Sequence, residues 1–533
     1  MKPFSTIFKQ KSSFLLIATI LSFNSFPLQA QTPSIKENQT SQQTSELHSK
    51  TLPIISETLQ QERLNALPEL KIKLEQMQKH SRADLFLIFN ERFFTNLLVE
   101  LTKTKFKASS LFDVNVTSSR VVFLNGLALA QLQAKLISTS ALLDITTVLN
   151  LTAKLSVEQN EKNLLVAKFQ LVDIQVANPE ASTTPPPTAI SAEQLGKLLP
   201  PVTLPLELDF DRTFQPDKFS QTKPIAYEVT SEARRVQGRF KIIDLLPLNG
   251  RLVLLAKVQD LAITQGQEGK KKNRPKPSPA SFITYQQEKN LLSANELDKQ
   301  IDGLGAFLVS KTDFSVNIKR YFLDLLIDQF AQSSSRDVII KVMHSRVMSS
   351  KSDLGFAKYE NYLDIENGDG AVDLRDAEIQ SMRDGQISLF IDAVGQIQAQ
   401  ARGKQIGFNY DATPQIGVSL RDQIAFTFEQ IGQDFQIKPV AKKISIHLDI
   451  RVPVQMIGRD INTSQTVSVD TASLIKPVIL PRVINTDLVL PQGRQTITLT
   501  EVNYKIENDQ LLFGANLTFS QPKEQPKEQT ETP

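Results

Sequence analysis

Apolar and polar residues alternate over unusually long stretches of this chain. Leu143, Ile145, Thr147, Leu149, Leu151, Ala153, Leu155 and Val157 occupy every second position, and Ile444, Ile446, Leu448, Ile450, Val452 and Val454 do the same. Successive side chains of a β-strand point to opposite faces, so a period of two predicts strands with one buried and one wetted face. At ~3.3 Å per residue the first run would reach about 45–50 Å, far beyond the usual ~5–6 residues. The segments NEKN (160–163) and NGDG (367–370) read as hairpin turns, because Asn, Asp and Gly tolerate positive φ.

A second period is confined to two short stretches. In RFFTNLLVE, which begins at Arg92, residues Phe93, Phe94, Leu97, Leu98 and Leu101 form one apolar stripe at helical spacing. In RYFLDLLID, which begins at Arg320, Tyr321, Phe322, Leu325, Leu326 and Phe330 do nearly the same. The stretches match position by position: Arg92 with Arg320, Phe94 with Phe322, Leu97 with Leu325, Leu98 with Leu326. Each is followed by an Asp-Val segment (from Asp113 and from Asp337), a Ser-Arg-Val triplet, and a Pro-punctuated apolar segment (198–208 and 474–491). This common order reads as an internal duplication. The expected class is α+β: two related blocks, each a long antiparallel meander sheet packed on or wrapped around one amphipathic helix.

Residues 1–30 read as a cleavable signal peptide, with Lys2, Lys9 and Lys11 before a short apolar run and Leu28-Gln29-Ala30 at its end; a retained signal anchor is the alternative. Residues 31–81 form a polar lead with a short helix over 62–80. The first block spans 82–265 and contains a Pro-rich linker at 178–189. A basic, Pro-containing connector (266–295) leads to the second block (296–520), and 521–533 is a disordered tail.

Charge and composition narrow the function. The chain has 60 Lys and Arg against 57 Asp and Glu. Removing residues 1–30 takes away three lysines and leaves no formal net charge, which argues against nucleic acid as a partner. The sequence has no Cys, so thiol nucleophiles, disulfides and Cys-ligated metals are excluded. No second apolar run of spanning length follows the signal. Export to a periplasm or beyond the cell is the expected localisation. The basic run Lys270, Lys271, Lys272, Arg274 and Lys276 lacks interleaved aromatics and reads as a solvated loop, with an anionic surface as the alternative.

Candidate chemistry is sparse. The segment 365–376 resembles a calcium loop, with Asn367, Asp369, Asp373 and Asp376 at ligand positions, but Ile365 stands where the first ligand belongs. A hairpin is the preferred reading of this segment. His48, His80, His344 and His447 lie outside metal spacing of one another, and His447 falls on the outward phase of its strand. No nucleophile, zinc or phosphate-loop motif is present. No catalytic residue, metal or cofactor is therefore assigned.

The repeated helix with Phe93, Phe94, Leu97 and Leu98, its second copy at Tyr321 to Leu326, and the long one-faced strands together resemble the tubular lipid-binding superfamily, which includes bactericidal/permeability-increasing-type proteins. That resemblance implies a long helix wrapped by a curved antiparallel sheet, an apolar tunnel, and a unit that can occur twice. The superfamily has no diagnostic residue motif, and the paired cysteines of some members are missing here. A non-catalytic binder of lipid or another apolar small molecule is the first expectation, with Phe93, Phe94, Leu97, Leu98, Phe322, Leu325 and Leu326 as candidate lining. A structural or adaptor protein of the envelope with solid cores is the second, and an exported hydrolase the third. Oligomeric state is left open.

Overall fold

The computed structural model describes residues 56–520, apart from 80–82, 103–105, 108–111, 139–145, 177–198, 215–218, 222–226, 231–233, 266–292, 309–310, 333–337, 354–357, 406–407, 432–433, 455–458, 472–477, 481–483, 491–492 and 508. The expected signal peptide, Pro-rich linker, most of the basic connector and the tail lie outside the described residues.

In the first half α1 (Glu57–Lys79) leads into β1 (Leu85–Asn90) and α2 (Glu91–Thr102). Then follow β2 (Phe106–Lys107), β3 (Phe112–Leu124), β4 (Leu127–Ser138), β5 (Thr146–Gln159), β6 (Leu164–Val176), β7 (Val202–Glu207), β8 (Asp209–Phe214), β9 (Phe219–Gln221), β10 (Tyr227–Thr230), β11 (Arg234–Leu248) and β12 (Arg251–Gln265). The second half opens in the same order, with α3 (Ala294–Leu304), β13 (Phe314–Lys319) and α4 (Arg320–Gln332). It continues through β14 (Val338–Val342), β15 (Ser345–Asp353), β16 (Lys358–Arg383), β17 (Gln386–Gln405), β18 (Phe408–Ala412), β19 (Gln415–Ile431) and β20 (Asp434–Pro439). The last elements are β21 (Lys443–Val454), β22 (Arg459–Asp470), β23 (Val478–Leu480), β24 (Ile484–Leu490), β25 (Gly493–Glu507) and β26 (Gln510–Ser520).

Three antiparallel sheets result. A six-stranded sheet runs β2-β3-β4-β5-β6-β7, and an eight-stranded sheet runs β24-β25-β26-β13-β1-β12-β11-β8. A twelve-stranded sheet follows the path β22-β21-β19-β17-β16-β14-β10-β9, with β15, β18, β20 and β23 attached beside it. The chain is thus mostly β, and the expectation of two related α+β blocks holds only in part. The halves share the eight-stranded sheet, and β9 and β10 of the first half pair into the second half's sheet. Each half also has a second helix, α1 or α3, on the other side of the shared sheet.

The shared sheet is built around a near-twofold. Leu85 pairs with Ile318, Leu87 with Val316 and Phe89 with Phe314, so the β1–β13 ladder reads the same from either strand. On the outer sides, Leu85 pairs with Ala256 of β12 and Phe314 pairs with Ala515 of β26. Two buried aspartates mark equivalent positions. Asp84 Oδ2 accepts from Val258 N at 2.8 Å, and Asp313 Oδ2 accepts from Leu517 N at 3.0 Å. Their carbonyls do equivalent work as well: Lys319 N donates to Asp84 O and Asn90 N to Asp313 O.

This frame aligns the repeat differently from the best sequence match. Phe93 corresponds to Phe322 and Leu97 to Leu326, one position away from the Phe94–Phe322 pairing. Burial agrees: Phe93, Phe94, Leu97 and Leu98 are buried, as are Phe322, Leu323 and Leu326, whereas Tyr321 is 57% exposed and Leu325 only half-buried. The helices also hold their sheets in corresponding ways. Thr95 Oγ1 accepts from Val121 N at 2.9 Å and Glu91 Oε1 from Phe123 N at 2.6 Å, while Asp324 Oδ1 accepts from Ile379 N at 3.0 Å.

The two faces of the shared sheet differ. Leu85, Leu87, Phe89, Phe314, Val316 and Ile318 enter the main core with α2 and α4. On the opposite face Phe86, Ile88, Leu246, Leu248, Val253 and Leu255 pack against Leu67, Leu70, Leu74 and Met77 of α1 and Ile301 of α3. The second-half positions equivalent to Phe86, Ile88, Leu246 and Leu248 are Ser315, Asn317, Lys505 and Glu507. Ser315 and Asn317 are buried there and Lys505 and Glu507 exposed, so the continuous apolar face that receives α1 and α3 belongs to the first half. α3 is pinned there by Asp298 and Asp302, which accept from Asn125 Nδ2 at 3.0 and 3.1 Å; Asp302 also accepts from Asn249 Nδ2 at 2.9 Å. α1 begins earlier than the expected short helix, at Glu57, and carries Pro68 in its interior.

Two outcomes follow from these contacts. Asp84→Ala and Asp313→Ala each strip a backbone N–H of its acceptor, a loss of about 1–3 kcal/mol. Hydrogen exchange should accelerate selectively at the Val258 amide in the first variant and at the Leu517 amide in the second; unchanged protection would refute the equivalence. Burial pushes the Glu91 carboxyl above the ordinary glutamate range, outweighing the Phe123 N–H and the Arg120 charge that pull it down. A carboxyl raised on folding stabilises the fold below its unfolded pKa, and that contribution is lost as pH rises through the folded value. Glu91→Gln can still accept from Phe123 N, so it should gain stability relative to wild type between about pH 4 and neutrality. Urea melts at the two pH values check this, and a constant difference would contradict it.

Candidate functional site

Of the seven residues expected to line a tunnel, Phe93, Phe94, Leu97, Leu98, Phe322 and Leu326 lie in the core beneath α2 and α4, whereas Leu325 is only half-buried and outside that core. Aromatic rings pack around the core members. Phe93 and Phe94 meet at 4.9 Å between ring centroids, Phe89 and Phe93 at 4.9 Å, and Phe94 and Phe123 at 5.9 Å. The series crosses the shared sheet through Phe89–Phe314 at 5.0 Å and continues to Phe513 and Tyr504. Phe322 packs on Phe240 at 5.3 Å. Edge-on and tilted contacts of this kind are favourable packing arrangements of aromatic cores. Burial raises the Tyr504 phenol well above its ordinary range, as expected for a neutral group in this core.

A different apolar region extends beyond the helices. α4 has 13 residues, or about 20 Å at 1.5 Å per residue, whereas β16 has 26 and would span about 85 Å if extended. α4 meets β16 near Ile379, whose N–H it holds through Asp324. The rest of β16, with β14, β15, β17, β18, β19, β21 and β22, forms an arm. Its apolar cluster contains Val342, Leu363, Ile365, Ile397, Ala399, Ala401, Ile416, Val418 and Ile450, and every member comes from a strand. Ile446 packs against both this cluster and the main core, so the two are continuous.

Cross-strand partners share a face, so the register identifies the arm's inner surface. One row runs Ile340–Gly370–Ile397–Ile416–Ile450, and a neighbouring one Val372–Gly395–Val418–Leu448. The middle strands contribute mainly small residues: Gly368 and Gly370 on β16, and Ala393, Gly395, Ala399, Ala401 and Gly403 on β17. Sterics explain the glycines. A Cβ on Gly370 would lie 2.2 Å from Gln396 O, and one on Gly395 would lie 2.4 Å from Ala371 O. Neighbouring strands crowd together on this face, as on the concave side of a curled sheet. The outcome is a buried, strand-only apolar cluster with Gly and Ala on its middle strands and Ile, Val and Leu around them.

The NGDG segment is therefore no hairpin turn, and the calcium-loop geometry is not formed. Residues 365–376 lie within β16. Asn367, Asp369, Asp373 and Asp376 are its exposed, outward phase, and Gly368, Gly370 and Val372 are the inward phase. An extended strand with bulges at Ile365/Asn367 and Leu374/Asp376 spreads these oxygens along its length. Among the described residues no three His, Cys, Asp or Glu side chains come together as a metal-holding group. His447 is exposed on β21, with Nδ1 3.0 Å from Thr466 Oγ1. The turn at NEKN does form: Asn160 Oδ1 accepts from Lys162 N and Leu164 N, both at 2.9 Å.

Sequence reasoning missed this strand-only cluster, although a signal was there. In AVGQIQAQARG (393–403) small or apolar residues alternate with Val, Gln and Arg, the pattern of a one-faced strand whose buried face has little side-chain volume. No family model matches the chain, and no curated protein matches it. Among solved structures, that of a lipopolysaccharide binding protein aligns with 82% of this chain and 99% of that chain, at 10% identity and a TM-score of 0.25, an overlap too small to carry an argument about fold or function.

Proposed function

We propose that this is an exported, non-catalytic protein that binds a lipid or another apolar ligand inside its curled sheets. The observation that carries this reading is the strand-only apolar face of the arm, which no helix covers. It runs past the end of α4, and its middle strands carry Gly and Ala, residues of little side-chain volume. Sites for apolar ligands are concave and lined by aliphatic side chains, with polar groups few. In the main core that adjoins this face, α4 contributes Phe322 and Leu326; Phe93 and Leu97 occupy the corresponding places in the first half.

A second reading is a structural or adaptor protein of the envelope. The ring packing around Phe93 and Phe94 favours it, because those side chains are already filled against their own core. The two readings separate cleanly in one experiment. Residues 31–533, purified from the envelope fraction of the producing cell, should carry lipid-sized adducts in native mass spectrometry, and solvent extraction should remove them. A bare polypeptide mass, with no uptake of added fluorescent lipid, would reject ligand binding in favour of the structural role.

A further inference from the structure

β22 (Arg459–Asp470) ends the twelve-stranded sheet. One side of it pairs with β21 along the whole strand, from Lys443–Asp470 to Val454–Arg459, and among the described residues no strand pairs with its other side. Every second residue therefore turns its N–H and C=O outward, where no strand receives them.

Such an edge invites pairing, and folded proteins normally guard it with charge, proline or brevity. The other strands that end a sheet here are guarded in one of these ways. β2 has two residues, and β9 and β23 have three each. β7 contains Pro205, β8 carries Asp209, Asp211 and Arg212, and β24 carries Asp487. Beside the main path, β15 carries Arg346, Lys351 and Asp353, and β18 carries Asp411. β22 is different. Its stretch from Ile461 to Val469, INTSQTVSV, has no charge, no Pro and no Gly, and it is rich in the strand-favouring Thr, Val and Ile. Asn462, Ser464, Thr466 and Ser468 are exposed along it.

The edge is complementary to itself. A strand meets its own copy antiparallel about a twofold perpendicular to the sheet, the relation that β1 and β13 already hold within this chain. Opposed residues must share a face, so the twofold has to pass through a residue and not between two. Two such registers keep eleven of the twelve residues paired, 459–469 or 460–470. The register centred on position 465 sets residues 460 and 470, both Asp, directly opposite at either end, and opposed like charges destabilise a sheet. The register centred on Ser464 sets Asp460 opposite Ser468 and Asn462 opposite Thr466, and no two charges oppose.

We propose that β22 is a homodimerisation edge, where a second copy of this chain pairs antiparallel with Ser464 opposite Ser464 and joins two twelve-stranded sheets into one. This pairing does not depend on ligand binding, because the groups it uses are backbone amides and carbonyls at the sheet edge.

The protein has no Cys, so an introduced thiol is its sole thiol. In the dimer the two Cα atoms at position 464 stand about 4.5–5.5 Å apart, within the ~4.4–6.8 Å reach of a disulfide. At position 466 the copies are offset by four residues, about 13 Å along the strand. Ser464→Cys in residues 31–533 should therefore form a covalent dimer under mild oxidation, whereas Asn462→Cys and Thr466→Cys should not. The protein without substitution should associate with rising concentration in sedimentation velocity. Ser464→Lys, at an exposed position, should weaken that association about fivefold, the scale of one pair of opposed like charges. A monomer at every concentration, or a dimer that none of the three thiols links, would overturn the homodimerisation edge. Stronger linkage at 462 or 466 would overturn the register. A monomer whose outward β22 amides nonetheless resist hydrogen exchange would assign the edge to another segment of this chain and overturn the second copy as its partner.

Discussion

The pairing of β1 with β13 is the constraint on which the rest of the structure depends. Each is a six-residue strand in the middle of the shared sheet, and each is buried almost throughout. Their symmetric ladder joins two copies of one plan back to back, with the main core passing through both. Backbone groups this deep must be paired, because an unsatisfied buried N–H costs as much as the loss of a hydrogen bond. Asp84 and Asp313 meet that demand at equivalent strand entrances, where the ladders to β12 and β26 would otherwise leave donors open. Once this pairing is set, α2 and α4 can only emerge on the same face of the sheet, and the curled sheets must follow them.

The copies diverge where symmetry is not required. On the far face of the shared sheet, apolar positions of the first half are replaced in the second by Ser315, Asn317, Lys505 and Glu507. The apolar surface for α1 and α3 thus exists on one half only, and both helices use it. On the side of the curled sheets, the second half has instead grown longer strands. Its arm extends past the reach of a 13-residue helix, and the curl of the sheet, made sterically feasible by Gly368, Gly370, Gly395 and Gly403, covers the apolar face in place of a helix. A single plan has therefore yielded a helix-filled interior and a strand-only apolar face in one chain, and the proposed ligand function belongs to the latter.

Much of this was legible in the chain. The long period-two runs foretold strands, and the stripes at Phe93 and Phe322 foretold the helices that close the core. The common order of segments pointed to a repeat. Other features were open to misreading. Asn-Gly and Asp-Gly mark turns at Asn125-Gly126, Asn249-Gly250 and Asp384-Gly385, where positive φ is needed. In NGDG the same letters belong to a continuous strand, because the glycines there serve close approach between strands. Local chemistry is identical in the two cases, and only the neighbouring strand distinguishes them. The strand-only face of the arm escaped notice for a related reason: large aromatic residues drew attention to α2, whereas that face is built largely from residues with little or no side chain.

By itself the sequence determined the β-rich character, the helical stripes and the fact of duplication, since each follows from periodicities that individual segments carry. Tertiary structure alone decided the alignment of the repeat. A stripe with adjacent apolar pairs, such as Phe93-Phe94 and Leu97-Leu98, still superposes apolar on apolar after a slip of one residue, so helix sequence cannot fix its own phase. A strand cannot tolerate that slip, because one residue reverses every side chain between core and solvent. The β1–β13 ladder therefore sets Phe93 against Phe322, leaves Tyr321 in water, and determines which surfaces the halves share.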